Sequence, residues 1–140
     1  MNIFISGGCK NGKSFYAQEL ARDMAVKSDL PLYYLATMIP CDEEDHARIR
    51  RHLSEREGWG FKTIEQGRNI CNALTGTTVD GQPVNPEGVF LLDSVTALLS
   101  NEMFLTGGDT DFHAPARLTE ELAKFAKSTG NTVFVSDYIY

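Results

Sequence analysis

The sequence predicts a three-layer α/β fold with a mostly parallel sheet, on three observations. Short apolar runs alternate with helical patterns along the chain, the signature of βαβ units. Two of these runs, Leu32-Tyr33-Tyr34-Leu35-Ala36 and Val89-Phe90-Leu91-Leu92, are apolar without alternation, as suits strands covered on both faces. The first run leads directly into Gly7-Gly8-Cys9-Lys10-Asn11-Gly12-Lys13-Ser14, which matches G-x-x-x-x-G-K-[ST], the P-loop. The expectation is one P-loop NTPase-type, RecA-like domain over residues 1–140, doubly wound and right-handed.

Asn2-Ile3-Phe4-Ile5-Ser6 reads as the first strand. The loop after it needs glycine because consecutive backbone N–H groups must turn inward around phosphate oxygens, some at positive φ. Lys13 is expected to reach the β- and γ-phosphates, and the Ser14 hydroxyl to ligate Mg²⁺. A glycine-rich turn with a coincidental Lys-Ser is the competing reading; a strand before and a helix after favour the nucleotide. Along that helix Ala17, Leu20, Ala21 and Met24 fall at i, i+3, i+4, i+7 and form an inward stripe, which Ser28-Asp29 and Pro31 end.

After the strand Leu32 to Ala36, Pro40 and Asp42 open a charged helix, about Glu43 to Glu55. Phe61 to Glu65 reads as a short strand and Asn69 to Leu74 as a short helix. Thr75 to Gly88 is polar, and its Asp80-Gly81 suits a type I′ hairpin turn in a surface excursion. Val89 to Asp93 is a buried strand ending in a carboxylate, followed by a helix to about Phe104 and a loop at Thr106 to Asp111. Pro115 sits in the first turn of another helix, with Leu118, Leu122, Phe125 and Ala126 inward. Thr132 to Ser136 is the last strand, expected either as an exposed edge, an aggregation hazard, or covered by a partner strand.

Composition narrows the function classes. The 140 residues are enough to bury roughly two-thirds of the unfolded surface. Hydrophobic content of 42% and charged content of 23% are those of an ordinary globular protein. The net charge is −6 and no long basic tract exists, so nucleic acid is not the expected partner. No apolar stretch is long enough to span a membrane, and the N-terminus lacks a signal-peptide layout. Cys9, Cys41 and Cys71 are odd in number, with no C-x-x-C spacing, so neither a disulfide framework nor a zinc site is implied. A reducing cytoplasm is the expected setting. Cys9, inside the P-loop, reads as a tolerated small residue.

Two places could carry further chemistry. Asp93 ends an apolar strand, where an acid can bind the Mg²⁺ shell beside Ser14. It could instead cap the helix that begins near Ser94; the metal role is favoured because a P-loop already requires a magnesium partner. The helix Asp42 to Arg56 sets Arg48, His52 and Arg56 at i, i+4, i+8, one row along its surface. Two guanidiniums flanking an imidazole make a phosphate-binding surface with a nucleophile in the middle. From spacing alone, a solvated face pairing Glu43, Glu44, Glu55 and Glu57 with arginines is the preferred reading. His46 and His113 read as surface histidines.

These residues together resemble the bifunctional adenosylcobinamide kinase/adenosylcobinamide-phosphate guanylyltransferases of cobalamin biosynthesis. The likeness runs through Ser6-Gly7-Gly8 to Gly12-Lys13-Ser14 and Tyr34-Leu35-Ala36-Thr37. It continues through Ala47-Arg48-Ile49-Arg50-Arg51-His52 to Arg56 with Trp59, the most diagnostic stretch. Leu91-Leu92-Asp93-Ser94-Val95-Thr96 to Asn101 and Val133-Phe134-Val135-Ser136-Asp137 complete it. The resemblance implies that His52 takes GMP from GTP as a phosphoramidate and passes it to adenosylcobinamide phosphate. It implies that the same site phosphorylates adenosylcobinamide from ATP or GTP, with Mg²⁺. Arg48 and Arg56 then have a phosphate chain to hold, which reverses the reading of the helix row.

A homotrimer is also implied, with the corrinoid near subunit contacts. Family members continue with a further helix and closing strands, so the chain is expected to be a truncated form or an incomplete sequence. The Thr75 to Gly88 excursion is longer than the family pattern suggests. Two alternatives stand beside this reading: another P-loop small-molecule kinase without a covalent intermediate, and an inactive nucleotide-binding remnant.

Overall fold

The computed structural model describes residues 2–7, 13–39, 43–44, 46–47, 50, 58, 60–104 and 108–137. Five strands form one sheet: β1 (Ile3–Gly7), β2 (Leu32–Ala36), β3 (Lys62–Glu65), β4 (Val89–Asp93) and β5 (Thr132–Asp137). Their order is β1-β5-β4-β2-β3, and every pairing is parallel. All five carboxyl ends therefore lie along one edge of the sheet. Helix α1 (Lys13–Ser28) covers one face. Helices α2 (Val95–Met103) and α3 (Ala114–Thr129) and a 3-10 turn at Ile70–Thr75 cover the other. The result is the three-layer α/β arrangement of P-loop NTPases.

Alternation along the strands sorts the core into two layers. Val89, Leu91, Val133 and Val135 face α1, whereas Phe90, Leu92 and Phe134 face α2 and α3. On the α1 side Ala17, Ala21 and Ala25 are buried at i, i+4, i+8, with Leu20 and Met24 packed at the flanks. Three methyls in a row let α1 lie close to the sheet. The opposite layer is aromatic. Phe90 stacks on Tyr33 at 5.0 Å and meets Phe125 edge-on at 5.4 Å, each pair contributing about 0.5–1.5 kcal/mol beyond area burial. Asn2 ties β1 in place, its amide donating to Ala126 O at 3.1 Å and its carbonyl accepting from Thr132 N at 3.0 Å.

Helix α1 ends in a double-bonded left-handed turn: Leu30 N–H donates to Ala25 O at 3.1 Å and Asp29 N–H to Val26 O at 3.4 Å. Asp29 occupies the position glycine normally takes, at φ 55°, where a Cβ is penalised. Asp29→Gly is expected to stabilise the fold by about 0.5–1 kcal/mol, the relief being partly offset by the freer unfolded chain. A rise in the urea midpoint at constant m-value would show it; a fall would mean the aspartate side chain matters more than its backbone.

Two expectations are corrected by the fold, and an open one is decided. The Asp80-Gly81 turn is not type I′, which needs positive φ at both central residues: Gly81 has φ 82° but Asp80 does not. The loop is a residue longer. Thr78 N–H donates to Gln82 O at 2.8 Å and Gly81 N–H to Thr78 O at 2.9 Å, so Val79-Asp80-Gly81 turns with glycine alone in the left-handed region. The short helix after β3 is a 3-10 turn that begins at Ile70, because Asn69 itself is left-handed at φ 51°. Of the two expectations for Thr132 to Ser136 the covered strand holds: β5 lies between β1 and β4, with a partner strand on each side. The edges among the described strands are β1 and β3.

Candidate nucleotide site

The carboxyl edge of the sheet gathers the predicted residues that are described. Gly7 ends β1 opposite Asp137 of β5, and Asp93 ends β4 opposite Val135. With β5 between them, the P-loop strand and Asp93 are two strand spacings apart, roughly 10 Å, a gap of the size a phosphate group and a metal ion fill. Helix α1 begins at Lys13 and Ser14, returning over the sheet from the same edge. Its positive dipole end therefore faces any ligand lying there.

Asp93 is on the α1 face, alternating with Val89 and Leu91, and is half-buried. It does not cap α2. Ser94 does that, its hydroxyl accepting from Ala97 N at 3.1 Å. The Asp93 carboxylate instead accepts a 2.7 Å hydrogen bond from the Tyr34 hydroxyl at Oδ2. A carboxylate at a strand's carboxyl end, relieved of capping and made of hard oxygens, fits Mg²⁺. Its backbone is fixed as well. The Thr37 hydroxyl spans the next residue, accepting from Ser94 N and donating to Ser94 O, both at 2.8 Å. Thr37 N–H donates to Asp93 O at 3.3 Å.

Thr37 is where the chain leaves β2 toward the segment that carries His52. Asn101 of α2 grips that exit, its amide donating to Thr37 O at 2.7 Å and Gly67 O at 2.9 Å. Arg68 Nε donates back to Asn101 O at 2.9 Å. Next to it the buried Glu102 accepts from Asn69 N and from Arg117 Nη2, each at 2.9 Å. Arg117 Nη1 also donates to Asp111 at 2.8 Å, and that hydrogen bond holds the Asp111 carboxyl below its usual range. The exits of β2 and β3 and the start of α3 are thus one braced unit.

A family model described as cobinamide kinase / cobinamide phosphate guanyltransferase, CobU, matches residues 3–139. The chain belongs to that family. Two curated CobU relatives, both called bifunctional adenosylcobalamin biosynthesis protein, are similar to it. The one from Escherichia coli (strain K12) is 33% identical over 112 residues, and the one from Salmonella typhimurium is 30% identical over 111. Each alignment covers 79% of this chain and 55% of the relative. The chain spans about half the length of the curated CobU proteins it matches.

Not every residue that the CobU resemblance singles out is described. Gly7 and Asp93 are, and the sheet brings them to one edge. Lys13 and Ser14 are placed by backbone in the first turn of α1, while Gly8, Cys9, Lys10, Asn11 and Gly12 lie outside the described residues, as do Arg48, His52 and Arg56. Of the charged helix, Glu43, Glu44, His46, Ala47 and Arg50 have helical backbone. His46 and His113 are exposed. Among the described residues no helix is long and apolar enough to cross a membrane. Sequence reasoning gave no role to Tyr34, Thr37 or Asn101. Thr37 did carry a signal, a hydroxyl directly after a buried apolar run.

Proposed function

We propose that this chain is a nucleotide-dependent transferase of cobalamin biosynthesis that phosphorylates adenosylcobinamide and then transfers GMP to the product. In the first reaction the substrate's aminopropanol hydroxyl attacks the γ-phosphorus of ATP or GTP, and the nucleoside diphosphate leaves. In the second an unprotonated His52 nitrogen attacks the α-phosphorus of GTP and pyrophosphate leaves. A phosphate oxygen of adenosylcobinamide phosphate then attacks the phosphoramidate, and the imidazole is released.

The observation that carries the nucleotide reading is Asp93: on the P-loop helix's face, at the carboxyl end of β4 two register positions short of Gly7, and free of the capping duty that was its other explanation. In this proposal Gly7 to Ser14 cradle the triphosphate, Lys13 neutralises it, and Arg48 and Arg56 hold its phosphates beside His52. Mg²⁺ held by Ser14 and Asp93 would draw charge off the phosphate oxygens. Family membership supports the corrinoid as acceptor. The homotrimer and the cytoplasmic setting belong to the same proposal.

The direct test supplies adenosylcobinamide with Mg²⁺ and GTP labelled at the α- or the γ-phosphorus. The γ-label should appear on the corrinoid first, and the α-label on the protein and then on the corrinoid phosphate. Transfer of γ-label alone would favour a plain kinase, and tight binding without transfer a nucleotide-binding remnant.

A further inference from the structure

We propose that Tyr34 is a positioning residue for the magnesium acid, its hydroxyl holding one oxygen of Asp93 so that the other faces the divalent cation of a bound nucleoside triphosphate. The proposal rests on reading Asp93 as that acid, and it assigns a task to a side chain inside the hydrophobic core.

The parallel register creates the contact. Tyr34 of β2 lies opposite Leu91 of β4, so Asp93 is two residues further along on the same face, about 6.6 Å up the strand. A long side chain leaning toward the carboxyl edge covers that distance, and only a hydroxyl at its tip can bond there. The ring has little freedom. Tyr34 is 4% exposed, sits in the layer under α1 and meets Phe61 edge-on at 6.1 Å and 89°. The 2.7 Å O–H···O bond to Oδ2 is of the short, charge-assisted kind. With Thr37 and Ser94 fixing the Asp93 backbone, the phenol removes the remaining freedom, rotation of the carboxylate. Carboxylates that bind metals are commonly oriented by such a neighbour, and its loss weakens the metal 10- to 100-fold.

The plainer explanation is that a buried phenol needs an acceptor and Asp93 happens to supply one. The two explanations separate on magnesium. The full chain is loaded with a non-hydrolysable GTP analogue and titrated with Mg²⁺ by calorimetry. Tyr34→Phe is expected to weaken Mg²⁺ about tenfold while leaving metal-free nucleotide affinity unchanged. In an Asp93→Asn background the same substitution should have no further effect, because the partner through which it acts is gone.

Equal Mg²⁺ affinity in Tyr34→Phe and the unaltered chain would overturn the proposal, as would a loss that persists undiminished in Asp93→Asn. If Asp93→Asn itself leaves Mg²⁺ affinity unchanged, it is the reading of Asp93 that fails. A second measurement needs no variant: Mn²⁺ in place of Mg²⁺ should broaden the ring resonances of Tyr34 more than those of Tyr33, which lies on the opposite face of the sheet. Equal broadening of the two rings would also overturn the assignment.

Discussion

Incubation with α-labelled GTP and Mg²⁺ is expected to give a protein-bound label that is acid-labile and base-stable, lost entirely in His52→Ala and kept in His46→Ala. Imidazole is a competent nucleophile at neutral pH because its ordinary pKa, near 6.5, leaves much of it unprotonated. In the proposed site Arg48 and Arg56, four residues before and after His52 in sequence, would neutralise the phosphate under attack. In the helix expected from the sequence His46, six positions earlier, would be on a different side, so the two histidines would not address one phosphorus. Its exposed side chain makes it a fair control for surface labelling. Label surviving in His52→Ala would sink the covalent mechanism. No label at all, with transfer to a corrinoid intact, would mean direct in-line transfer.

Lys13→Ala should weaken triphosphate binding roughly 10- to 100-fold, the size of one hydrogen bond to a charged group, with the fold unaltered. Residue 13 opens α1, four positions ahead of Ala17, where the stripe that holds the helix to the sheet begins. Ser14→Ala should act differently, lowering affinity in the presence of Mg²⁺ more than in its absence. Calorimetry with and without the metal reads both, and circular dichroism reads the fold. Unchanged triphosphate affinity in Lys13→Ala would refute the P-loop assignment.

What the sequence made legible followed from local pattern. Unbroken apolar runs became the central strands β2 and β4, and the alanine spacing in α1 became its buried stripe. Pro115 marked the start of α3. Turn geometry was less accessible, since the Asp-Gly pair fits both a two-residue loop and the three-residue loop that is found. The role of Asp93 was ambiguous because a strand-ending acid and a helix cap look alike along the chain; the Ser94–Ala97 bond removes the cap reading. Tyr34 was hidden for a different reason. Within an apolar run a tyrosine counts as one more core residue, and its acceptor is 59 positions away in sequence. The His52 row was weaker still on spacing alone and gained meaning only from resemblance.

Thr37 has a mechanical consequence. Its backbone and hydroxyl are fastened to Asp93, Ser94 and Asn101, so the start of the segment whose sequence holds His52 and the end of the strand that holds Asp93 share one anchorage. A nucleophile that accepts GMP and later surrenders it must meet two different partners. If His52 carries GMP as proposed, the chain that leads to it leaves the sheet at Thr37, a point bonded to the same backbone that presents Asp93.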